Sequence, residues 1–284
     1  MKNLIVVTGG AGFIGSAIIY ELNCRGCSDI LVVDNDDHPE KEKNLEGLDF
    51  IDKSDKHTFI ENATRRNLPP IKTIIHMGAC ASTTETNEEY LKMNNFEYTL
   101  TLSQYAVQNN IRFIYASSAA TYGDGSRGYE DDESKIDTLE PFNLYGMSKQ
   151  QFDFWAKKNN LFRKIVGLKY FNVYGPNEYH KADMQSLVRK GFLQIQETGK
   201  LRLFHSYKAE YQDGEQVRDF IYIKDAVGMT LYFLDHPEIS GLFNIGTGVP
   251  RTWNDLAKAL FQAMGRQNNI EYVDMPDSIR HQYQ

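Results

Sequence analysis

In the first half of the chain, short apolar runs alternate with amphipathic stretches. The apolar runs are rich in Ile, Val and Phe and predict β-strands, which are Leu4–Thr8, Ile30–Asp34, Lys72–His76 and Arg112–Ser117. The stretches between them predict helices at Phe13–Asn23, Lys56–Thr64 and around Glu88–Asn109. Strands and helices in alternation predict an α/β fold, a doubly wound parallel sheet with helices on both faces.

After Tyr145 the pattern is less regular. A helix is expected to begin near that residue, followed by the elements Ile165–Phe171 (strand), Met184–Gln196 (helix), Phe220–Ile223 (strand), Asp225–Leu234 (helix), Leu242–Ile245 (strand) and Trp253–Met264 (helix). We expect residues 1–170 to form the main domain, with strands near 165–175 and 242–246 completing its sheet. Residues 171–284 should mainly form a smaller, mixed α/β lobe over the C-terminal edge, where such sheets bind ligands.

Composition narrows the function classes. The net charge of −7 argues against a non-specific nucleic-acid binder, because phosphate binding needs an excess of Lys and Arg. No apolar run approaches the ~20 residues that span a bilayer, and the first strand begins without a signal-peptide pattern, so we expect a cytoplasmic protein without membrane contact. Cys24 and Cys27 form a C-x-x-C, but no second pair accompanies it, so we assign no metal site.

A glycine-rich turn follows the first strand. Gly9, Gly12 and Gly15 allow a tight turn and a close approach to a pyrophosphate, and the next helix presents its N-terminus to the charge. Asp34 ends the second strand nineteen positions after Gly15, where a carboxylate can accept from ribose hydroxyls. This context predicts dinucleotide binding, whereas a lone glycine motif would be equally consistent with an ordinary turn.

The residues leave the choice between NAD and NADP open. Asp34 favours NAD, because a carboxylate repels a 2′-phosphate. Asn35 follows it, however, and nearby lysines could neutralise such a phosphate, namely Lys41, Lys43, Lys53 and Lys56. Those lysines are equally consistent with a solvated loop of mixed charge.

Tyr145 and Lys149 form a Y-x-x-x-K, which on a helix places both side chains on one face. An ammonium beside a phenol is expected to lower the pKa of the phenol, so that tyrosine can take a hydroxyl proton while hydride leaves the same carbon. Taken alone, the spacing is also common on exposed helices. The run at 115–123 strengthens the interpretation, because Ser118 can donate to a substrate oxygen at the end of a strand.

Together these motifs resemble the extended short-chain dehydrogenase/reductase family over essentially the whole chain. The matching segments are TGGAGFIG, Asp34-Asn35, HMGA at 76–79, YASSAATYG, Tyr145/Lys149, FNVYGP at 171–176, RDFIYIKD at 218–225 and FNIGTG at 243–248. Lys169, where many relatives have arginine, and Met77, where glutamate is frequent, depart from the family pattern. Relatives also continue beyond the point matching Gln284, so we expect the natural chain to be longer.

The resemblance implies a Rossmann-like fold that binds NADP. It implies cofactor contacts from Gly9, Gly12, Phe13, Ile14, Gly15, Asp34, Asn35, Lys41, Lys56, Met77, Gly78, Ala79, Cys80, Ala81, Asn94, Lys149, Val173 and Lys181. It implies that Ser118, Tyr145, Lys149 and Lys181 are catalytic. Substrate contacts would come from Ser118, Asn172, Asp183, Lys190, Phe204, His205, Ser206, Tyr207, Arg218 and Tyr283.

Within the family the chain is most similar to sugar-nucleotide epimerases that act on an ADP-heptose at C6, in the synthesis of lipopolysaccharide core. The resemblance also implies a homo-oligomer. A UDP-hexose 4-epimerase and a 4,6-dehydratase are rival interpretations, although Ala119 and Ala120 replace the acidic pair that a dehydratase usually carries there. A non-catalytic NADP-binding protein is a further alternative, against which the intact Ser118, Tyr145 and Lys149 argue.

Overall fold

The computed structural model describes residues 4–35, 39–277 and 280. Within these residues the strands are β1 (Leu4–Thr8), β2 (Ile30–Asp34), β3 (Asp52–Asp55), β4 (Ile71–His76), β5 (Arg112–Ser118), β6 (Ile165–Tyr170), β7 (Asn172–Tyr174), β8 (Leu201–Phe204), β9 (Val217–Arg218), β10 (Phe220–Tyr222), β11 (Gly241–Ile245), β12 (Arg251–Thr252) and β13 (Ile270–Val273). The α-helices are α1 (Phe13–Cys24), α2 (Pro39–Lys43), α3 (Lys56–Thr64), α4 (Glu88–Leu91), α5 (Tyr98–Gln108), α6 (Leu144–Lys158), α7 (Leu187–Thr198), α8 (Ile223–Asp235) and α9 (Trp253–Ala263).

A parallel sheet of seven described strands forms the centre of the fold, in the order β11-β6-β5-β4-β1-β2-β3. Successive side chains of a strand point to opposite faces, so both faces of this sheet are apolar. Val6 packs with α3, α5 and α6 on one face, while its neighbours Ile5 and Val7 pack with α1 and α8 on the other. This arrangement confirms the predicted doubly wound α/β fold.

The second half of the chain contributes to the main sheet as well as to a smaller lobe. Strands β6 and β11 extend the sheet, and Val227 and Leu231 of α8 join the core beside α1. In the lobe, β8 pairs in parallel with β13, and α7 and α9 enclose a small core around Ile195 and Phe261. The short pairs β7–β10 and β9–β12 connect the two regions.

Several local features differ from the sequence predictions, and the lobe strands β8 and β13 were among the elements not predicted. Strand β3 was not predicted, because its residues Asp52–Asp55 are polar and lie at the sheet edge. The helix predicted around Glu88–Asn109 contains a π-helical segment at Lys92–Glu97, where Asn95 is buried. Helix α7 begins at Leu187 after Ser186, whose side chain accepts a hydrogen bond from Arg189 N, and Tyr179–Met184 forms a separate 3₁₀ segment. No helix among the described residues is long and apolar enough to cross a membrane.

Candidate active site

The glycine turn after β1 is closed so tightly that side chains would not fit. A Cβ at Gly15 would lie 2.1 Å from the carbonyl oxygen of Gly9, and one at Gly9, which has φ +66°, would lie 2.7 Å from Cα of Gly78. Helix α1 then begins at Phe13, and Gly12 at its N-cap has no side chain to cap the first turn. The free N–H groups of such a turn are suited to a phosphate.

Asp34 connects the end of β2 to this turn. Its Oδ2 accepts a hydrogen bond from the N–H of Ala11 at 3.0 Å, and its Oδ1 lies 3.2 Å from Nζ of Lys41. The carboxylate therefore braces the glycine turn, and its contact with a ribose stays a prediction. Lys56 Nζ, from the start of α3, donates to Oδ1 of Asn94 at 2.8 Å, so these two residues approach the same edge of the sheet from different helices.

The loop at 77–81 lies directly against the glycine turn. The N–H of Met77 donates to the Thr8 carbonyl at 3.0 Å, and the N–H of Gly78 donates to Thr8 Oγ1 at 3.2 Å. The side chain of Asn95 holds both backbone groups of Cys80, at 2.8 and 3.0 Å. The glycine turn, Asp34 and the loop at 77–81 thus lie together where β1, β2 and β4 end, and a glycine cradle at a helix N-terminus beside an acidic strand end fits a dinucleotide.

Ser118, Tyr145 and Lys149 come together at the end of β5. Helix α6 begins after Asn143, whose side chain accepts from Gly146 N at 2.7 Å, and this cap directs Tyr145 of the first turn towards β5. The Ser118 hydroxyl lies close enough to Tyr145 to favour the ionised form of its phenol. Lys149 is buried, and its Nζ donates to the carbonyl of Ala116 at 2.9 Å. These are the parts of a proton-transfer centre.

The sequence predicts that Lys149 lowers the pKa of the Tyr145 phenol. Among the groups of the protein itself this prediction is wrong, because the pKa of Tyr145 is raised. Burial raises the pKa of Tyr145, and the Ser118 hydroxyl only partly opposes this effect. Burial also lowers the pKa of Lys149 itself to about 8, against a favourable contribution from Asp153. Desolvation disfavours the charged form of each group. It outweighs the attraction between ammonium and phenolate that the Y-x-x-x-K spacing suggested.

A cleft of about 1410 Å³ opens over the C-terminal edge of the sheet, between the main sheet and the lobe. Its lining includes predicted residues from both halves of the chain, which are Phe13, Ile14, Ala81, Ser118, Tyr145, Asn172, Val173, Lys181, Lys190, Phe204 and Arg218. Asp183, His205, Ser206 and Tyr207, predicted as substrate contacts, are not part of this lining. His205 and Ser206 instead bind Asp213, at 2.8 and 2.7 Å. Tyr283 lies outside the described residues.

Lys181 reaches the cleft from the 3₁₀ segment Tyr179–Met184. Its Nζ lies 5.0 Å from the centre of the Phe13 ring. Burial lowers its pKa, an effect that the carboxylate of Glu178 opposes. The next residue, Ala182, has φ 43°, a strained value for a residue with a Cβ, and breaks the segment beside the lysine.

Several cleft residues were missed by the sequence analysis. Tyr129, Phe142, Gln216, Asn244 and Trp253 also line the cleft. Gln216 is 2% exposed, and its side-chain amide has no hydrogen-bond partner among the described residues, which marks a polar group available to a ligand. The five residues come from separate loops, a strand and the start of α9, so no local spacing in the sequence links them.

Comparison with known proteins agrees with this geometry. The model of the NAD dependent epimerase/dehydratase family matches residues 5–246. The chain belongs to this family. This membership supports a nicotinamide cofactor and an enzymatic function for the chain.

Relatives within the family narrow the comparison. The chain is 49% identical to the ADP-L-glycero-D-manno-heptose-6-epimerase of Nitratidesulfovibrio vulgaris, over 99% of this chain and 87% of that protein. It is 44% identical to the protein of the same name from Fusobacterium nucleatum, over 99% and 88%.

Solved structures give the same picture. The Helicobacter pylori ADP-L-glycero-D-manno-heptose-6-epimerase is 27% identical with a TM-score of 0.80, over 96% of this chain and 85% of that one. The Thermus thermophilus UDP-glucose 4-epimerase, solved in complex with NAD, is 26% identical with a TM-score of 0.75, over 96% and 87%.

Proposed function

We propose that this chain interconverts ADP-D-glycero-D-manno-heptose and ADP-L-glycero-D-manno-heptose at C6, a step in heptose supply for lipopolysaccharide core. One observation carries the proposal: 49% identity over nearly the full chain with a protein named for this activity. The Ser118, Tyr145 and Lys149 cluster at the cleft supplies the matching chemistry.

The proposed reaction has no net redox change. A bound nicotinamide dinucleotide would supply the hydride acceptor, a positive charge and the hydride for the return step. The C6 hydroxyl loses its proton as hydride leaves C6, which gives a carbonyl. Because C6 lies outside the sugar ring, rotation about one single bond presents the opposite face of this carbonyl. Return of the hydride to C6 from that face, and of a proton to the oxygen, restores the hydroxyl with inverted configuration. No atom is gained or lost overall.

Tyr145 is the group proposed to take the C6 hydroxyl proton, with Ser118 donating a hydrogen bond to the same oxygen. Since burial raises the pKa of Tyr145, its deprotonation depends on positive charge in the loaded site. Lys149, held to the carbonyl of Ala116, is one source of that charge and a donor for the nicotinamide ribose.

Lys181 is the group proposed to serve the opposite face of the intermediate. Two features support this role: the lysine lines the cleft together with Tyr145, and its lowered pKa makes the amine a better proton acceptor near neutral pH. A ring 4-epimerase could use Tyr145 alone, because its intermediate swings over as a whole.

NADP is the proposed form of the cofactor. The support is the lysine pair at the glycine turn, with Lys41 on the carboxylate of Asp34 and Lys56 at Asn94. An ammonium at each position can offset the repulsion between Asp34 and a 2′-phosphate. NAD, found in the Thermus thermophilus structure, is the alternative.

The direct test is turnover. Purified protein is incubated with ADP-D-glycero-D-manno-heptose, and the two epimers are resolved by proton NMR or chromatography, with UDP-glucose assayed in parallel. Formation of the L-glycero epimer without added cofactor and without turnover of UDP-glucose supports the proposal. Conversion of UDP-glucose to UDP-galactose with no change of ADP-heptose would replace it with the ring 4-epimerase.

A further inference from the structure

A buried polar cluster lies on the side of β5 away from the cleft. The carboxylate of Asp153, on α6, is fully buried and accepts hydrogen bonds from the Tyr115 hydroxyl at 2.7 Å and the Ser117 hydroxyl at 2.6 Å. Lys169, the last residue but one of β6, is 1% exposed, and its Nζ lies 3.8 Å from Oδ2 of Asp153. A buried carboxylate with this many partners is tightly held, because moving any of them leaves a charge or a donor unpaired.

The cluster is connected to two residues of the proton-transfer centre, Lys149 and Ser118. Asp153 follows Lys149 by one helical turn, and both bind the end of β5, Asp153 at Ser117 and Lys149 at the neighbouring carbonyl of Ala116. Lys169 donates to Thr121 Oγ1 at 2.7 Å, and Thr121 in turn donates to the carbonyl of Ser118 at 2.8 Å. Asp153 therefore binds Ser117, and Lys169 acts through Thr121 on the carbonyl of the next residue, Ser118. The two charged residues form one ion pair.

We propose that Asp153, paired with Lys169, is a positioning residue that keeps Lys149 charged and fixes the end of β5 under Ser118. The electrostatic half follows from burial: an ammonium away from water stays charged only if an opposite charge lies nearby. Asp153 is the carboxylate on the same helix face that favours the charged form of Lys149. Removing it should favour the neutral amine, which can neither attract a phenolate nor hold a ribose as a cation.

Other titratable groups around the cluster do not replace this carboxylate. His76, at the end of β4, and Cys80, in the loop after it, both interact electrostatically with Lys149. The pKa of His76 is lowered and that of Cys80 is raised, so each side chain is shifted towards its neutral form. Asp131 acts on Lys169, and Glu133 acts on Tyr115, so both are directed at the far side of the cluster.

The test measures Lys149 directly. In protein labelled with ¹³Cε-lysine, the Lys149 resonance is assigned by its loss in Lys149→Arg and followed against pH. The wild-type midpoint is expected near the value of about 8 set by burial. In Asp153→Asn the midpoint should fall. The matched control is Asp137→Asn, which removes an exposed carboxylate. This carboxylate lies 2.8 Å from Nζ of Lys157, a second lysine on α6, and its removal should leave the Lys149 midpoint unchanged.

Two further variants keep the test decisive. If Asp153→Asn fails to fold, Asp153→Asn/Lys169→Met removes both charges together, which buried pairs tolerate better than loss of one partner, and its midpoint should also fall. Lys169→Arg keeps the pair and should keep the wild-type midpoint. An unchanged midpoint in both carboxylate variants would overturn the proposal.

The effect on catalysis rests on the proposed function. The alkaline limb of the pH profile of kcat/KM for ADP-heptose should move down with the Lys149 midpoint in Asp153→Asn, which a purely structural role would not cause. A limb that stays while the midpoint falls would overturn the catalytic part. If wild-type protein does not turn over ADP-heptose at all, the proposed function fails, while the titration still decides the role of Asp153.

Discussion

Nζ of Lys181 lies 5.0 Å from the centre of the Phe13 ring, although the two residues belong to opposite halves of the chain. Phe13 is the first residue of α1, directly after the glycine turn, and Lys181 lies in the 3₁₀ segment at the cleft. The contact brings an amine with a lowered pKa beside the residue that follows the glycine turn, in the lining of the cleft that also contains Tyr145.

Lys181→Met is therefore expected to abolish epimerisation while the protein stays folded with cofactor bound. Methionine keeps most of the apolar contact with Phe13 but removes the amine. An analogue with an aldehyde at C6 provides the finer measurement, because one molecule can be oxidised while another is reduced, and the variant should process only one face. Lys224→Met, an exposed lysine on α8, is the control. Near-normal epimerisation by Lys181→Met would rule out the two-base mechanism.

Tyr145→Phe should slow epimerisation by ~10²–10⁴-fold, the usual effect of losing a positioned general acid or base. Cofactor affinity should change little, because the proposed ribose contact comes from Lys149. Steady-state rates and a cofactor titration separate the two effects, with the exposed Tyr20→Phe as control. A variant that retained turnover within a factor of a few would show that Tyr145 is not the proton acceptor.

The lysine beside Asp34 should decide the preference for NADP. Lys41→Met removes a cation 3.2 Å from that carboxylate, and loss of one charge-assisted bond of about 1.5–3 kcal/mol should weaken NADP by roughly 10- to 100-fold and NAD far less. Calorimetric titration of both cofactors measures this, with the exposed Lys72→Met as control. Wild-type protein that binds NAD at least as tightly as NADP would contradict the assignment.

His76 should make stability depend on acid pH. Its ring is buried between Thr8 and Thr99, and burial, aided by the charge of Lys149, lowers its pKa from 6.5 to about 3. Between these values the unfolded chain binds a proton that the folded protein does not, so the free energy of unfolding falls as the pH falls, by up to ~1.4 kcal/mol per unit.

Urea unfolding at several pH values between 7 and 4 tests this prediction about His76. His76→Gln, although less stable, should show a flatter dependence on pH than wild type. The exposed His57→Gln should keep the wild-type slope. The same slope in all three proteins would exclude His76 as the source.

Elements with a clear local pattern could be predicted from the sequence, whereas those that depend on long-range pairing could not. Strands β1 and β2 and helix α3 have the predicted bounds. Strand β3 could not be predicted, because its side chains are polar and lie at the sheet edge. Its pairing with β2 uses the backbone and leaves no side-chain pattern.

The site divides in the same way. The glycine turn and the pair Tyr145 and Lys149 are visible because each is a short spacing on one element. Asp153 and Lys169 lie on different elements, and a lysine in a buried strand gives no sign of its partner until the fold is known. Burial also reversed the expected pKa shift of Tyr145, and burial around one atom cannot be inferred from spacing.

The central claim, transient oxidation at C6 with return of the same hydride, is tested most directly by an isotope experiment. ADP-D-glycero-D-manno-heptose carrying deuterium at C6 is epimerised in ordinary water, and the product is examined by NMR and mass spectrometry. The L-glycero product should keep its deuterium at C6, because the same hydride would be returned to the carbon it left. Loss of the deuterium to solvent would contradict the central claim and indicate removal of C6–H as a proton.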